Sequence, residues 1–134
     1  MQPIYDNLEF ISAANVDQRR RTTMTAAQLE ESGYMNIEPL TYIRGRSIPN
    51  QYMIVDESQN LTPHEVKTIL TRAGDGTKVI FTGDPNQIDN PYVDASSNGL
   101  TYLAERFRNL PIAGHVTLVK GERSELAEIA SNIL

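Results

Sequence analysis

Two short segments, Tyr52–Val55 and Lys78–Phe81, run directly into clusters of polar and glycine residues. Neither segment alternates between apolar and polar residues, which is typical of strands that are covered on both faces of a parallel sheet. A third run of this kind covers residues 116–119, and a weaker strand is predicted over residues 36–40. Strands that alternate with helices indicate βαβ units, so the sequence predicts an α/β fold with a parallel sheet.

Helical patterns surround these segments. A capping box at residues 62–65, with Pro63 at the first helical position, opens one helix, and Gly74 is placed to end it. Apolar residues recur at helical spacing in two later segments and, less regularly, near the start of the chain. The other helices are predicted over residues 3–12, 26–32 (with a stop at Gly33), 100–107 and 126–133.

The composition excludes several classes of protein. With 134 residues the chain has the length of one domain, and it contains no cysteine for disulfides, thiolate zinc sites or thiol nucleophiles. The absence of cysteine fits a cytoplasmic location, which we expect. No apolar run approaches the ~18 residues that a membrane span requires, so we expect no membrane partner. The net charge of −5 argues against nucleic-acid binding by the whole surface.

The first polar cluster is Asp56-Glu57-Ser58-Gln59-Asn60, directly after the first run. An apolar strand that delivers two adjacent carboxylates is the Walker B pattern. One carboxylate holds Mg²⁺, usually through water, while its neighbour polarises the attacking water. Asp56 is predicted to bind the metal and Glu57 to act as the base; the alternative is an ordinary acidic turn.

The second polar cluster, residues 82–87, contains Gly83, Asp84 and Gln87 and follows the second run. A glycine at a strand end permits close approach to a ligand, and a glutamine can donate to a phosphate oxygen. Alone, Gly-Asp-Pro is a common turn. Because ligands bind at the carboxyl ends of parallel strands, the two clusters together predict nucleotide hydrolysis.

Asp-Glu-x-Gln-Asn followed by Gly-Asp-Pro-x-Gln resembles superfamily 1 helicase-type ATPases. Residues 41–46, 71–72 and 83–89 narrow the likeness to the PhoH-like family, especially its branch with a preceding PIN-type ribonuclease domain. The resemblance runs from Gln2 to the last helix. It implies ATP hydrolysis coupled to RNA, with ATP and Mg²⁺ as cofactors.

The resemblance also assigns individual residues. Asp56 and Glu57 match the Walker B pair, Gln87 matches the glutamine that senses the γ-phosphate, and Asp84 matches the acidic residue beside it. Arg123 stands where such ATPases place an arginine that contacts the γ-phosphate. The alternative for Arg123 is a salt bridge to a neighbouring glutamate.

The family's phosphate-binding loop, Gly-x-x-x-x-Gly-Lys-Ser/Thr, is absent: the only lysines are Lys67, Lys78 and Lys120, and none follows a glycine. We therefore expect residues 1–134 to be the C-terminal portion of a single PhoH-like ATPase domain, inactive in isolation. Its fold is expected to be an incomplete three-layer parallel sheet of RecA/helicase-like P-loop NTPase type, without the P-loop strand.

Two features bear on the partners of the chain: the arginines that flank Gly45, and unpaired strand edges. Arg44 and Arg46 contact RNA or a nucleotide phosphate in one interpretation, and are solvated or paired with carboxylates in the other. Unpaired strand edges predict that residues 116–119 are displaced, close onto the Lys78–Phe81 strand, or pair with another molecule, so a homo-oligomer is expected. The competing hypotheses are a non-catalytic RNA- or protein-binding module, or a subunit that receives its P-loop from a separate chain.

Overall fold

The computed structural model describes residues 2–14, 24–43 and 45–119, together with residues 124, 126, 129 and 133. The chain divides into two compact units, residues 1–46 and 47–134. The predicted positions Arg44 and Arg123 lie outside the described residues, as does most of the helix predicted over 126–133. None of the described helices is long and apolar enough to cross a bilayer.

The first unit contains helices α1 (Gln2–Ala14) and α2 (Ala26–Glu31), followed by a 3-10 helix at Leu40–Ile43. The Tyr5 hydroxyl donates to Glu30 Oε2 at 2.8 Å and thereby joins the two α-helices. Both helices confirm the sequence prediction, including the left-handed Gly33 that follows α2.

The strand predicted over residues 36–40 is wrong, since residues 35–39 form no strand and the 3-10 helix begins at Leu40. Two local features explain the difference. Pro39 has no N–H to donate to a sheet. The Asn36 side chain donates to Glu38 Oε1 at 2.6 Å, a short-range bond that competes with extended pairing.

The second unit is built on one βαβ unit. Its elements are strand β1 (Tyr52–Val55), helix α3 (Pro63–Leu70), strand β2 (Lys78–Phe81) and helix α4 (Gly99–Phe107). The two strands pair in parallel, with Tyr52 opposite Lys78 and Val55 opposite Phe81. Both strands have the predicted bounds, so the α/β class and the parallel sheet are confirmed.

Helix α3 begins as predicted, because Thr62 Oγ1 accepts from the Glu65 N–H at 3.3 Å and the Glu65 carboxylate accepts from the Thr62 N–H at 2.8 Å. It ends at Leu70, before the predicted stop at Gly74. Thr71 Oγ1 donates back to the Thr68 carbonyl at 3.1 Å and satisfies a group of the last turn.

Helix α4 follows a turn that is organised by one carboxylate. Asp94 Oδ1 accepts from the Ser96 N–H, the Ser96 hydroxyl and the Ser97 N–H at 2.7–2.8 Å. The bonds from the Ser96 side chain and backbone, then those from Ser97, lower the pKa of Asp94 from 3.8 to about 2. Asn98 then caps α4, since its Oδ1 accepts from the Thr101 N–H at 2.9 Å.

The core of this unit lies where α3 meets α4 and the turn after β1. Val66 and Ile69 of α3 are buried, and so are the polar residues Ser58, Gln59 and Asn98. A fully buried glutamine and asparagine must have hydrogen-bond partners. The turn after β1 is therefore held by polar contacts as well as by packing.

The strand predicted over residues 116–119 does not form. These residues carry no strand in the structure, and Val116, Leu118 and Val119 are 81%, 86% and 97% exposed. A strand requires a partner edge, and within the described residues the sheet consists of β1 and β2 only. Residues 116–119 are thus displaced from the sheet and do not close onto β2, while pairing with another molecule stays a prediction.

Candidate functional site at the carboxyl ends of the strands

The two predicted clusters meet at the ends of β1 and β2. The Thr82 N–H donates to the Val55 carbonyl at 2.9 Å, and the Ser58 N–H donates to the Thr82 carbonyl at 2.9 Å. The pairing between the strands thus continues past β2 and into the turn after β1. As a result, the clusters at residues 56–60 and 82–87 are held in a fixed position relative to each other.

Asp56 lies at this edge with an exposed side chain. Thr82 Oγ1 donates to Asp56 Oδ1 at 2.7 Å, a contact between the two clusters that orients the carboxylate. Sequence reasoning assigned no role to Thr82. A β-branched hydroxyl residue directly after a strand, opposite an acid in register, is the signal that could have identified it.

Glu57 has left-handed backbone angles, φ 54° and ψ 36°. For a residue with a Cβ this conformation costs about 1 kcal/mol and persists only where neighbouring contacts impose it. Here the bonds of Ser58 impose it, because its N–H reaches Thr82 and its Oγ donates to the Val55 carbonyl at 2.7 Å. Such strain in a carboxylate residue at a strand end is typical of functional sites.

Gln59 connects the two turns through its side-chain amide. It is 1% exposed. Its Nε2 donates to Glu57 Oε2 at 2.6 Å and to the Gln87 carbonyl at 2.9 Å, while its Oε1 accepts from the Asp84 N–H at 3.2 Å. The sequence named Gln59 only as a member of the motif. Its role was missed because it depends on partners that lie 25 and 28 positions further along the chain.

Gly83 lies against this buried amide. A Cβ at Gly83 would overlap Gln59 Oε1 and would also press on Leu100 Cδ2 at 3.1 Å. The φ angle of Gly83 is not in the left-handed region, so the glycine is required here for space. The neighbour that fills this space is the Gln59 side chain, which gives Gly83 a packing role besides the predicted approach to a ligand.

Asp84 and Gln87 form the second turn of the site. Asp84 Oδ2 accepts from Gln87 Nε2 at 2.7 Å, and Asp84 Oδ1 accepts from the Asn86 N–H at 2.9 Å. The Gln87 N–H also donates to the Asp84 carbonyl at 3.0 Å. The two residues that were predicted to lie side by side are therefore in direct contact, with the Gln87 amide oriented by the carboxylate.

Asn60 extends the connection to the following loop. Its Oδ1 accepts from the N–H groups of Asp89 and Asn90 at 2.7 and 3.1 Å, and the Asn90 side chain donates to the Asn60 carbonyl at 2.8 Å. Asn60 is a second residue whose role sequence reasoning did not assign. Every residue from 57 to 60 thus makes a hydrogen bond within the turn or to residues 82–90.

Of the predicted arginines, Arg46 forms an ion pair with a carboxylate. Arg46 Nη1 lies 3.1 Å from Glu38 Oε2, and the two side chains are 59% and 31% exposed. This ion pair agrees with the carboxylate alternative for Arg46. An exposed pair contributes at most ~1 kcal/mol, so it does not prevent Arg46 from binding another anion.

The donor set at the strand ends is compatible with Mg²⁺ and a nucleotide. Among the described residues, no group of three or more His, Cys, Asp or Glu side chains could hold a metal by itself. Mg²⁺ in phosphate-transfer sites is bound by one or two carboxylates, waters and substrate phosphates. The exposed Asp56 carboxylate, oriented by Thr82, fits that requirement.

The βαβ unit and the polar clusters at its strand ends define an α/β protein consistent with part of a P-loop NTPase-type fold. The sequence model described as PhoH-like protein matches residues 1–133. The chain belongs to this family, as the sequence motifs indicated.

Individual relatives agree with this assignment. The chain is 54% identical to Protein PhoH2 of Bacillus subtilis over 134 residues, which are 100% of this chain and 29% of that protein. It is 33% identical to Protein PhoH2 of Mycolicibacterium smegmatis over 99% of this chain and 28% of that protein. A PhoH-like protein of Bacillus subtilis is 43% identical over 82% of this chain and 31% of its own length. The chain therefore spans less than a third of these relatives.

Proposed function

We propose that this chain supplies the water-activating and γ-phosphate-sensing residues of an ATPase that acts together with RNA. The single observation that carries the proposal is the contact of the two strand-end clusters through Gln59, which joins Glu57 to the turn of Gln87. Membership in the PhoH-like family supports a nucleotide-binding protein. The coupling to RNA rests on the resemblance of the motifs to helicase-type ATPases.

In this proposal each residue has a distinct task. Glu57 accepts a proton from the attacking water, and Asp56 would hold Mg²⁺, which supplies charge neutralisation at the phosphates. Gln87 donates to the γ-phosphate, and its amide is already oriented by Asp84 at 2.7 Å. Arg123 contacts the γ-phosphate in the transition state.

The phosphate-binding loop has to come from other sequence, because none of the three lysines of the chain follows a glycine. We therefore define the extended protein as the Bacillus subtilis relative in which this chain replaces the 134 aligned residues. We expect the isolated chain to release no phosphate from ATP and Mg²⁺ above background, and the extended protein to hydrolyse ATP.

The Glu57→Gln variant of the extended protein is the control, since it keeps the side-chain size and removes the base. Turnover by the isolated chain that Glu57→Gln abolishes would contradict the need for a separate P-loop. An extended protein that binds RNA but never hydrolyses ATP would favour the non-catalytic binding module. Addition of RNA to the active protein, with ATPase rate as the readout, tests the coupling.

A further inference from the structure

We propose that Gln59 is a positioning residue of this site, which holds the Glu57 carboxylate and the Gln87 turn in one arrangement. The inference rests on the proposed ATPase function and adds a role for a residue that does not reach the substrate. It starts from an unusual feature: Gln59 is 1% exposed, although it binds Glu57 and Gln87, which are both exposed residues.

The hydrogen-bonding capacity of the Gln59 amide is matched to its surroundings. Its nitrogen faces two acceptors, Glu57 Oε2 and the Gln87 carbonyl, while its oxygen faces the Asp84 N–H. A flipped amide would place its oxygen against both acceptors and its NH₂ against a donor. The contacts therefore fix one orientation, in which the donors and the acceptor are all used.

Packing prevents the amide from leaving this position. The space beside Gly83 is filled by the Gln59 side chain, and Leu100 of α4 closes the same space. The buried amide also has no access to water that could replace its partners. Removal of one partner would leave a buried polar group unsatisfied, which costs about 1–3 kcal/mol.

This arrangement has a consequence for Glu57. Because Gln59 holds the carboxylate through Oε2, the other oxygen is the one placed to accept from an attacking water. A base that is displaced by about 1 Å can lose ~10²-fold in rate, even when the substrate still binds. Gln59 thus acts on the rate through Glu57.

The same amide connects Glu57 to the γ-phosphate sensor. Gln59 Nε2 binds the backbone of Gln87, whose side chain is held by Asp84. Because packing holds the amide in place, the Glu57 carboxylate and the Gln87 turn keep one position relative to each other.

Two substitutions in the extended protein test the role. Gln59→Met keeps the side-chain length and removes all three hydrogen bonds, while Gln59→Glu keeps the acceptor for the Asp84 N–H and loses both donors. We expect each variant to lower kcat by about 10- to 100-fold and to change the Kd for ATP by less than about threefold. Gln51→Met, at an exposed glutamine before β1, is the matched control and should leave both values unchanged.

A readout without turnover accompanies the kinetics. In the isolated chain, the Gln59 side-chain NH₂ should exchange slowly with solvent, because both of its donors are engaged and buried. In Gln59→Met, the Asp84 N–H should exchange faster, since its acceptor is gone.

The outcomes separate this proposal from the proposed function. An unsubstituted extended protein that hydrolyses no ATP overturns the ATPase proposal. If it does hydrolyse ATP, an unchanged kcat in Gln59→Met overturns the positioning role. The role is also overturned if ATP affinity falls by the same factor as kcat and thermal stability falls as well. Fast exchange of the Gln59 NH₂ in the isolated chain overturns the geometry itself.

Discussion

Substitution of Gly83 by alanine should disrupt the packing between the two turns of the site. The added Cβ would overlap Gln59 Oε1. It would also lie 3.1 Å from the backbone nitrogen of Gln59 and 3.1 Å from Leu100 Cδ2. None of these atoms can move away easily, because Gln59 is fully buried and its amide is bound at both ends. The change therefore forces a buried polar side chain out of its position.

Two costs combine in this variant. A methyl group that is added against a buried, closely packed side chain costs about 1–3 kcal/mol. Displacement of the amide leaves at least one buried partner, such as the Asp84 N–H, without its hydrogen bond, which costs about 1–3 kcal/mol more. Because partial relaxation reduces both, we expect Gly83→Ala to lower the free energy of unfolding by about 2–4 kcal/mol.

Urea denaturation of the purified chain measures this change, with Gly114→Ala as the matched control. A Cβ at Gly114 would meet nothing within 4 Å, and its φ is not left-handed, so this variant should be neutral or slightly more stable. Gln59→Ala should make the Gly83→Ala substitution much less costly, since the obstructing side chain is gone. Equal effects of Gly83→Ala and Gly114→Ala, or additive effects in the Gly83 and Gln59 pair, would refute the packing argument.

Four further predictions concern catalysis, pH and assembly. In the extended protein, Glu57→Gln should lower kcat with nearly unchanged ATP binding, whereas Asp56→Asn should also weaken Mg²⁺-dependent binding; identical effects would mean that the two roles are misassigned. Arg123→Ala should lower kcat by about 10³-fold or more with nearly unchanged ADP affinity, whereas lost stability with normal turnover would favour the salt bridge. The pKa of Asp94 is lowered from 3.8 to about 2 in the fold, so its contribution to stability is present above pH 3.8 and is lost as the pH falls through about 2. Titration of the Ser96 and Ser97 amide signals checks this. Asp94→Asn should remove the transition. The exposed apolar side chains within residues 116–119 should promote self-association, which sedimentation detects and Leu118→Lys should reduce. A monodisperse monomer at all concentrations would contradict the expected homo-oligomer.

The elements that sequence predicted best are those that depend on local signals. Helix α3 begins at Pro63, directly after its cap Thr62, because a capping box and a proline meet there, and both are visible in four consecutive residues. Strands β1 and β2 have their predicted bounds because each apolar run ends at polar residues. Predictions of this kind require no knowledge of distant contacts.

The errors come from features that need partners. Residues 116–119 have the composition of a strand, but they pair with neither β1 nor β2, the two strands of the described sheet. Residues 36–40 were predicted as a weaker strand, but Pro39 has no N–H for pairing and the Asn36 side chain bonds locally to Glu38. The role of Gln59 was invisible for the same reason, since its partners in the second turn come from residues 84 and 87.

The hydrogen bonds described for the candidate site join residues of this chain to each other. Gln59 and Asn60 bind residues of the turn after β2, Gln59 also binds the Glu57 carboxylate, and the backbone bonds of Thr82 join the two turns. The contacts that join the proposed general base Glu57 to the turn of the proposed phosphate sensor Gln87 therefore form within these 134 residues. The cradle of N–H groups and the lysine that bind phosphates do not occur in the same sequence. Because catalysis requires both, we expect the strained backbone of Glu57 to be retained in this chain and to be used only when a phosphate-binding loop is added to the sheet.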